Sequence, residues 1–270
     1  MRLLKGRKPW YLVAVILSVL VLCYPASFLL NPETLDRFAW ERGPIQLAGA
    51  MGFLLASTGF FLLYLFSASA ENVFGSLRTK RNVVFGVLAA IMLLCFAEET
   101  SWGQHLFGFE TPRILHALNA QNETNLHNLW IFHQWRHDGS EKGFVGLLIN
   151  MNRLFSIFWL VYFIVVPLCA RCSERIRRVL AGAGIPISPL AFGLMFLSTY
   201  LSYKICAAIA VGSLRAFPLD ELKEASYAAI FALYAWYTFA ITRSPTRTVE
   251  RGAVTHLEQA DIGTDPSIVG

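Results

Sequence analysis

Histidines and glutamates gather in one stretch of this sequence. Five of the six histidines lie close together, namely His105, His116, His127, His133 and His137. The stretch begins just after two adjacent carboxylates, Glu98 and Glu99. Carboxylates and neutral imidazoles can together transfer protons or bind zinc, iron or manganese. The window 98–137 is therefore the first candidate for chemistry.

The first part of this window directly follows an apolar run. Glu98, Trp102 and His105 are spaced i, i+4, i+7, so they share one face if the helix of that run continues. An ionisable group at membrane depth is costly and usually faces a partner, a cavity or a metal. The alternative is that Glu98 and Glu99 only mark the membrane surface beyond the end of the helix.

The second part of the window carries two further helical signals. Thr111 followed by Pro112 predicts the start of a short helix that ends at Leu118. In a second helical pattern just after it, Glu123 and His127 are four residues apart and share a face. Both segments suit interfacial or re-entrant helices.

If the two parts meet, they predict a catalytic or metal site. The predicted catalytic residues are Glu98, Glu99, His105, Glu123 and His127. The predicted metal ligands are Glu99, His105, Glu123 and His127. A divalent metal with an open position would bind a water whose pKa is near neutral. There is no H-E-x-x-H motif, so this prediction depends on clustering alone.

Other polar residues are predicted to bind substrate. Trp102, Gln104, Asn125 and Asn128 would orient the site, while Arg153 and Lys204 would hold an anionic group. The alternative for the two cations is an interhelical ion pair, or outward snorkelling of Arg153. A serine mechanism with Ser101 and His105 is also conceivable, but no oxyanion hole is visible.

The elements that must position these residues are membrane helices. The chain has 270 residues, of which 55% are hydrophobic and only 15% charged, against about 25% charged in soluble domains. That composition excludes a disordered chain and disfavours a soluble enzyme. Apolar runs that approach or exceed about 18 residues predict membrane spans. The six runs are 10–30, 47–68, 83–107, 147–170, 189–212 and 226–242.

The predicted fold is an all-α, polytopic transmembrane helical bundle with six spans and interfacial helices between spans 3 and 4. Residues 1–242 form the membrane domain, with an outer polar loop at 108–146, and 243–270 form a flexible cytoplasmic tail. Fourteen Lys and Arg fall on one side and seven on the other. The positive-inside rule then predicts that both termini are cytoplasmic. The basic clusters sit at the ends of apolar runs, which disfavours a nucleic-acid partner.

Two strings in the outer-loop region resemble those of a known family. Residues 98–104 match the pattern E-E-x-S-W-G-Q, and residues 123–128 read E-T-N-L-H-N. Both strings are similar to those of an uncharacterised family of bacterial multi-pass membrane proteins. The resemblance implies the bacterial inner membrane as location and gives no activity to carry over.

Three functions are consistent with the sequence. The leading hypothesis is a metal-dependent hydrolase or transferase that acts on a lipid or lipid-linked envelope substrate. The second is a transporter or channel that uses Glu98, Glu99 and Lys204 as intramembrane charges. The third is a non-catalytic accessory subunit of an envelope assembly.

Overall fold

The structure is a computed structural model, and its regular elements are helices. It describes residues 10–40, 43–66, 81–120, 122–133, 136, 138, 140, 142–143, 146 and 149–242. For residues 10–14, 105 and 106 it describes the backbone only. Within these ranges there is no strand, and the one isolated bridge joins Asn119 to Leu129. The predicted tail 243–270 lies outside the described residues.

Ten helices follow one another along the described chain. Their bounds are α1 Trp10–Ala26, α2 Pro32–Ala39, α3 Pro44–Phe66, α4 Val83–Glu99, α5 Gln104–Phe107, α6 Arg113–Leu118, α7 Met151–Cys172, α8 Glu174–Gly182, α9 Leu190–Ile209 and α10 Ala216–Thr242. Asn82 begins α4, where its side chain accepts a hydrogen bond from the Val84 amide at 3.0 Å. The predicted end of α6 at Leu118 is confirmed.

Each of the six predicted runs contains a helix, and four candidates are long and apolar enough to cross a membrane. These four are Pro32–Phe66, which contains α3, and Met151–Cys172, Leu190–Ile209 and Ala216–Thr242. Helices α1 and α4 have 17 residues each, a length of about 25 Å. The chain is therefore an all-helical protein with four candidate spans. The count of six spans and the interfacial helices stay predictions.

Two predicted boundaries are wrong. Helix α4 ends at Glu99, not at residue 107, because a left-handed turn follows it. Helix α10 begins at Ala216, ten residues before the predicted start. Its first turns carry several charges, which made the segment resemble a loop. The helical period nevertheless continues there, with Leu219, Lys223 and Tyr227 on one buried face.

Small residues allow α3 and α10 to pack closely. Gly52 of α3 lies against Ala228 of α10, and Gly59 lies one heptad further along, against Ala235. A Cβ atom added at Gly52 would lie 2.8 Å from the Ala228 Cβ. In a membrane, helices attract one another mainly by this kind of close packing. The seam therefore sets the position of α10, whose opposite side packs into an aromatic core.

The aromatic core joins α10 to α7 and α9. The ring of Phe231 in α10 contacts those of Phe163 in α7 and Phe196 in α9, with centroids 5.5 Å and 5.1 Å away. Helix α7 widens to a π-helix at Val161–Val165, just before Pro167. Proline cannot donate to the carbonyl four residues earlier, which is that of Phe163. Gly193 of α9 packs directly against this carbonyl.

We predict that Gly52→Ala lowers the thermal stability of the protein in detergent. The added methyl group overlaps Ala228 and must push α3 away from α10. Overpacking of this kind costs about 1–3 kcal/mol. Gly182→Ala is the matched control, because a Cβ at Gly182 meets nothing within 4 Å. Equal unfolding temperatures of the two variants would contradict close packing of α3 against α10 at Gly52.

Candidate functional site

A left-handed turn follows α4 and redirects the chain. Ser101, Trp102 and Gly103 have φ values of 46°, 55° and 79°. This region is unfavourable for residues with a Cβ atom, at about 1–3 kcal/mol each. The prediction that Glu98, Trp102 and His105 share one continuous helix face is therefore wrong. Trp102 still reaches Glu98, since its indole Nε1 donates to Glu98 Oε1 at 2.6 Å.

The segment that meets this turn is not helical. Residues 122–129 form turns, and Asn122 has φ of 60°. The prediction that Glu123 and His127 lie on one helix face is therefore also wrong. Asparagine side chains bond to nearby backbone and compete with helix formation. Here Asn119 Nδ2 donates to the Asn125 carbonyl at 2.6 Å.

Four buried polar residues join the turn to this segment, and we call them the Ser101–Glu123 cluster. They are Ser101, Asn119, Glu123 and Asn125. The Ser101 hydroxyl donates to Glu123 Oε2, and Asn125 Nδ2 donates to the same oxygen at 2.7 Å. Asn119 Nδ2 donates to Asn125 Oδ1 at 2.8 Å. Buried polar groups are stable only with such partners, so the cluster holds the two segments in one arrangement.

The side chain of Gln104 also joins the turn to this segment through hydrogen bonds. Its Oε1 accepts hydrogen bonds from the Thr124 amide at 2.8 Å and the Thr124 hydroxyl at 2.6 Å. Its Nε2 donates to Thr111 Oγ1 at 2.8 Å. Among the described residues, the amide oxygen and one N–H of this side chain have hydrogen-bond partners. Gln104 therefore positions the loop in this structure.

Glu98 and His127 form a close pair at the end of α4. Glu98 Oε2 accepts from the backbone amides of Leu126 at 2.6 Å and His127 at 2.8 Å. The same oxygen lies 3.2 Å from His127 Nδ1. The side chains are 12% and 30% exposed, respectively. A carboxylate held by several donors keeps the imidazole in one orientation.

This geometry leaves the second ring nitrogen of His127 available. With Nδ1–H directed at Glu98, the Nε2 atom carries the lone pair. No hydrogen bond to Nε2 occurs among the described residues. A carboxylate behind Nδ1 and a free Nε2 make a histidine suited to general acid–base chemistry.

His133 lies near this pair, beside Trp130. The two rings have centroids 5.6 Å apart. Burial lowers the pKa of His133, and the positive charges of Lys142 and of His127 when protonated act in the same direction. Lys142 donates to the backbone carbonyls of Trp130 and Ile131. The pKa of His133 is therefore lower than that of an exposed histidine, which favours the neutral imidazole.

The structure does not gather the predicted metal ligands among the side chains that it describes. Glu123 belongs to the Ser101–Glu123 cluster, His127 contacts Glu98, and Glu99 faces α10. Within the described side chains, no group of three His, Cys, Asp or Glu could hold a metal ion. The side chain of His105 and all of His137 lie outside the described part. The metal site thus stays a prediction.

The predicted substrate-binding residues lie in several separate parts of the structure. Asn125 is buried inside the Ser101–Glu123 cluster, whereas Asn128 is half-buried and its carbonyl accepts from the Ala120 amide at 2.8 Å. Arg153 is exposed in the first turn of α7. Lys204 is exposed, with its Nζ 5.5 Å from the Tyr200 and Tyr203 ring centroids. In the part of the chain that the structure describes, Lys204 forms no ion pair with Glu98 or Glu99.

A second charged cluster lies in α10 and was not predicted from the sequence. The buried Lys223 donates to Asp220 Oδ1 at 2.9 Å and lies 3.8 Å from Glu224 Oε1. Its Nζ is 4.7 Å from the centroid of the Tyr203 ring, whose hydroxyl donates to the same Asp220 oxygen. We call these four residues the Lys223 cluster. The helical period of residues 216–227 was the signal that could have revealed it.

The Lys223 cluster extends toward α4 and into the core. Glu99 of α4 lies close to Glu224, so that the two carboxyl groups face each other. Deeper in the bundle, Tyr227 is one turn below Lys223, and its hydroxyl has no partner among the described residues. The same is true of Trp159 Nε1 and Thr199 Oγ1. Three buried polar atoms of the bundle thus have no hydrogen-bond partner in the described part of the chain.

Comparison with protein-family models, with curated proteins and with solved structures finds no match to this chain. Four helices are long and apolar enough to cross a membrane, which is consistent with an integral membrane protein. Any more specific function must therefore be argued from the geometry of the two clusters and the Glu98–His127 pair.

We predict that Asn119→Leu destabilises the protein by about 1–3 kcal/mol, because it leaves buried partners unsatisfied. The expected readout is a lower unfolding temperature in detergent. Asn152→Leu is the control, since Asn152 is exposed in the first turn of α7. If both variants unfold at the wild-type temperature, the Ser101–Glu123 cluster does not hold the two segments together.

Proposed function

We propose that this protein is a membrane-embedded hydrolase or transferase in which His127 is the general base and acid. The observation that carries the proposal is the Glu98–His127 pair, in which Nδ1 faces a carboxylate and no described residue forms a hydrogen bond with Nε2. Positioned proton transfer of this kind contributes about 10²–10⁴-fold to a rate. The proposal needs no metal, although neutral Nε2 would also be a good metal ligand.

The chemistry follows from the orientation of the imidazole. His127 Nε2 removes the proton from the attacking water or hydroxyl group as the new bond to the substrate forms. The Glu98 carboxylate stabilises the imidazolium that results. The same Nε2–H then protonates the leaving group when the old bond breaks. His127 thus ends neutral, and no oxidant or reductant is required.

The surroundings of the pair support a lipid or lipid-linked substrate. Trp102, Phe107 and Ile131 are large apolar side chains that remain exposed near the end of α4. Apolar groups beside a polar site suit a substrate with both an acyl chain and a headgroup. The exposed Arg153 is a candidate contact for an anionic headgroup.

We expect His127→Ala to abolish a change that the wild-type protein makes in the lipids of its host. A strain that lacks the gene is complemented with wild type, His127→Ala or His116→Ala. Lipids and lipid-linked sugars are then compared by mass spectrometry. The His116 variant should behave as wild type, because His116 is exposed on α6. The His127 variant should reduce product formation about 10²-fold or more.

Two outcomes would contradict the enzyme proposal. If wild type and His127→Ala give identical lipid profiles, His127 does not catalyse a reaction on these substrates. If that result comes with loss of a protein that co-purifies with wild type, the accessory-subunit hypothesis is favoured. Expression and unfolding temperature of each variant must match wild type for the comparison to count.

A second candidate function is cation-coupled transport, which the Lys223 cluster favours. The version with Glu98 and Lys204 has little support, since Glu98 is bonded to the loop and Lys204 is exposed. Lys223, in contrast, is a buried cation next to Glu224, which faces Glu99. Charges in the interior of a membrane bundle often mark an ion or proton pathway.

We expect Lys223→Met to abolish proton flux in proteoliposomes if transport is the function. An imposed pH gradient and an internal pH-sensitive dye provide the measurement. Lys204→Met is the matched control, because it removes an exposed lysine from α9. Equal flux in the two variants, or a wild-type rate no higher than that of empty liposomes, would count against proton transport.

A further inference from the structure

Helix α8 begins where a membrane-spanning candidate ends. Helix α7 ends at Cys172, and only Ser173 separates it from α8. The Ser173 hydroxyl accepts a hydrogen bond from the Ile176 amide at 3.4 Å and so caps α8. Gly184, with φ of 68°, ends the helix at the other side. The position of α8 is thus tied to the membrane surface.

The residues of α8 divide into an apolar face and a basic one. Ile176, Val179 and Leu180 are spaced i, i+3, i+4 and therefore share one face. Arg175 and Arg177 lie on the two flanks of this face, since neighbouring helical positions are about 100° apart.

The apolar face of α8 is not covered by the described part of the protein. No residue of α8 is buried, and Ile176 and Val179 are 39% and 59% exposed. Two exposed branched side chains on a helix at the end of a membrane span would contact water unless lipid covers them. Because α8 directly follows a candidate membrane span, lipid is available to cover this face.

The charge of the segment indicates which lipid headgroup it would bind. Arg171, Arg175, Arg177 and Arg178 are all exposed, while Glu174 is the one acidic residue of α8. Glu174 pairs with Arg177, and the other three arginines have no acidic partner among the described side chains. Arginine binds phosphate through paired hydrogen bonds.

We propose that α8 lies in the membrane–water interface and binds anionic phospholipid headgroups of the leaflet at the Cys172 end of α7. Its apolar face enters the acyl region, and its arginines contact the phosphates. The site is separate from the Glu98–His127 pair. That pair is near the opposite end of α7, where Asn150 Nδ2 donates to the Phe132 carbonyl at 3.0 Å.

The first test measures lipid selectivity. The full chain is solubilised from vesicles of phosphatidylglycerol and phosphatidylcholine, and the retained lipids are quantified. Each basic residue near an anionic surface contributes about fivefold to binding. We therefore expect Arg175→Gln/Arg177→Gln/Arg178→Gln to reduce phosphatidylglycerol enrichment roughly tenfold or more. The control removes three exposed arginines elsewhere, in the triple variant Arg37→Gln/Arg113→Gln/Arg136→Gln. This control should retain the phosphatidylglycerol enrichment of the wild type.

The second test measures the depth of two α8 positions in the membrane. In a background in which all five native cysteines are replaced by alanine, a nitroxide at Val179→Cys should be more accessible to oxygen and less accessible to a water-soluble nickel chelate than one at Arg178→Cys. Equal, water-like accessibility at both positions would overturn the interfacial placement. Unchanged enrichment in the α8 triple variant, or equal loss in the control, would overturn the headgroup site.

Discussion

The carboxylate of Glu98 is the constraint on which the site depends. It lies at the end of α4 and accepts hydrogen bonds from the backbone amides of Leu126 and His127, which are distant from Glu98 in the sequence. One oxygen therefore fixes both the path of the loop and the orientation of the imidazole. Hydrogen bonds from backbone amides to a charged acceptor are strong and directional. Without them, fewer contacts would hold the loop against the end of α4.

The neighbouring carboxylates have different surroundings and therefore different roles. Glu123 is buried with Ser101 and Asn125, which suits a residue that stabilises the loop. Glu99 faces α10 and belongs with the polar residues around Lys223. Among the described side chains, Glu98 is the carboxylate that contacts a histidine. The three carboxylates therefore differ in environment although they share one residue type.

The two ends of the bundle are chemically unlike. One end has the polar loop, the Glu98–His127 pair and the charged first turns of α10. The other end has the basic helix α8, in which no residue is buried by the described part of the protein. Between them, the small residues of α3 let α10 approach closely. Close packing of this kind limits the relative movement of α3 and α10.

The sequence by itself determined the helical class, the approximate positions of six apolar helices and the two segments of the site, because hydropathy and residue type are local properties. It could not determine that the chain leaves the helix at Ser101, since strained backbone is maintained by distant partners such as Glu123. Tertiary structure alone decided that Glu98, and not Glu123, holds His127, and that Lys223 is buried within α10. Such pairings depend on which segments meet in space, and no periodicity in one segment encodes its neighbour.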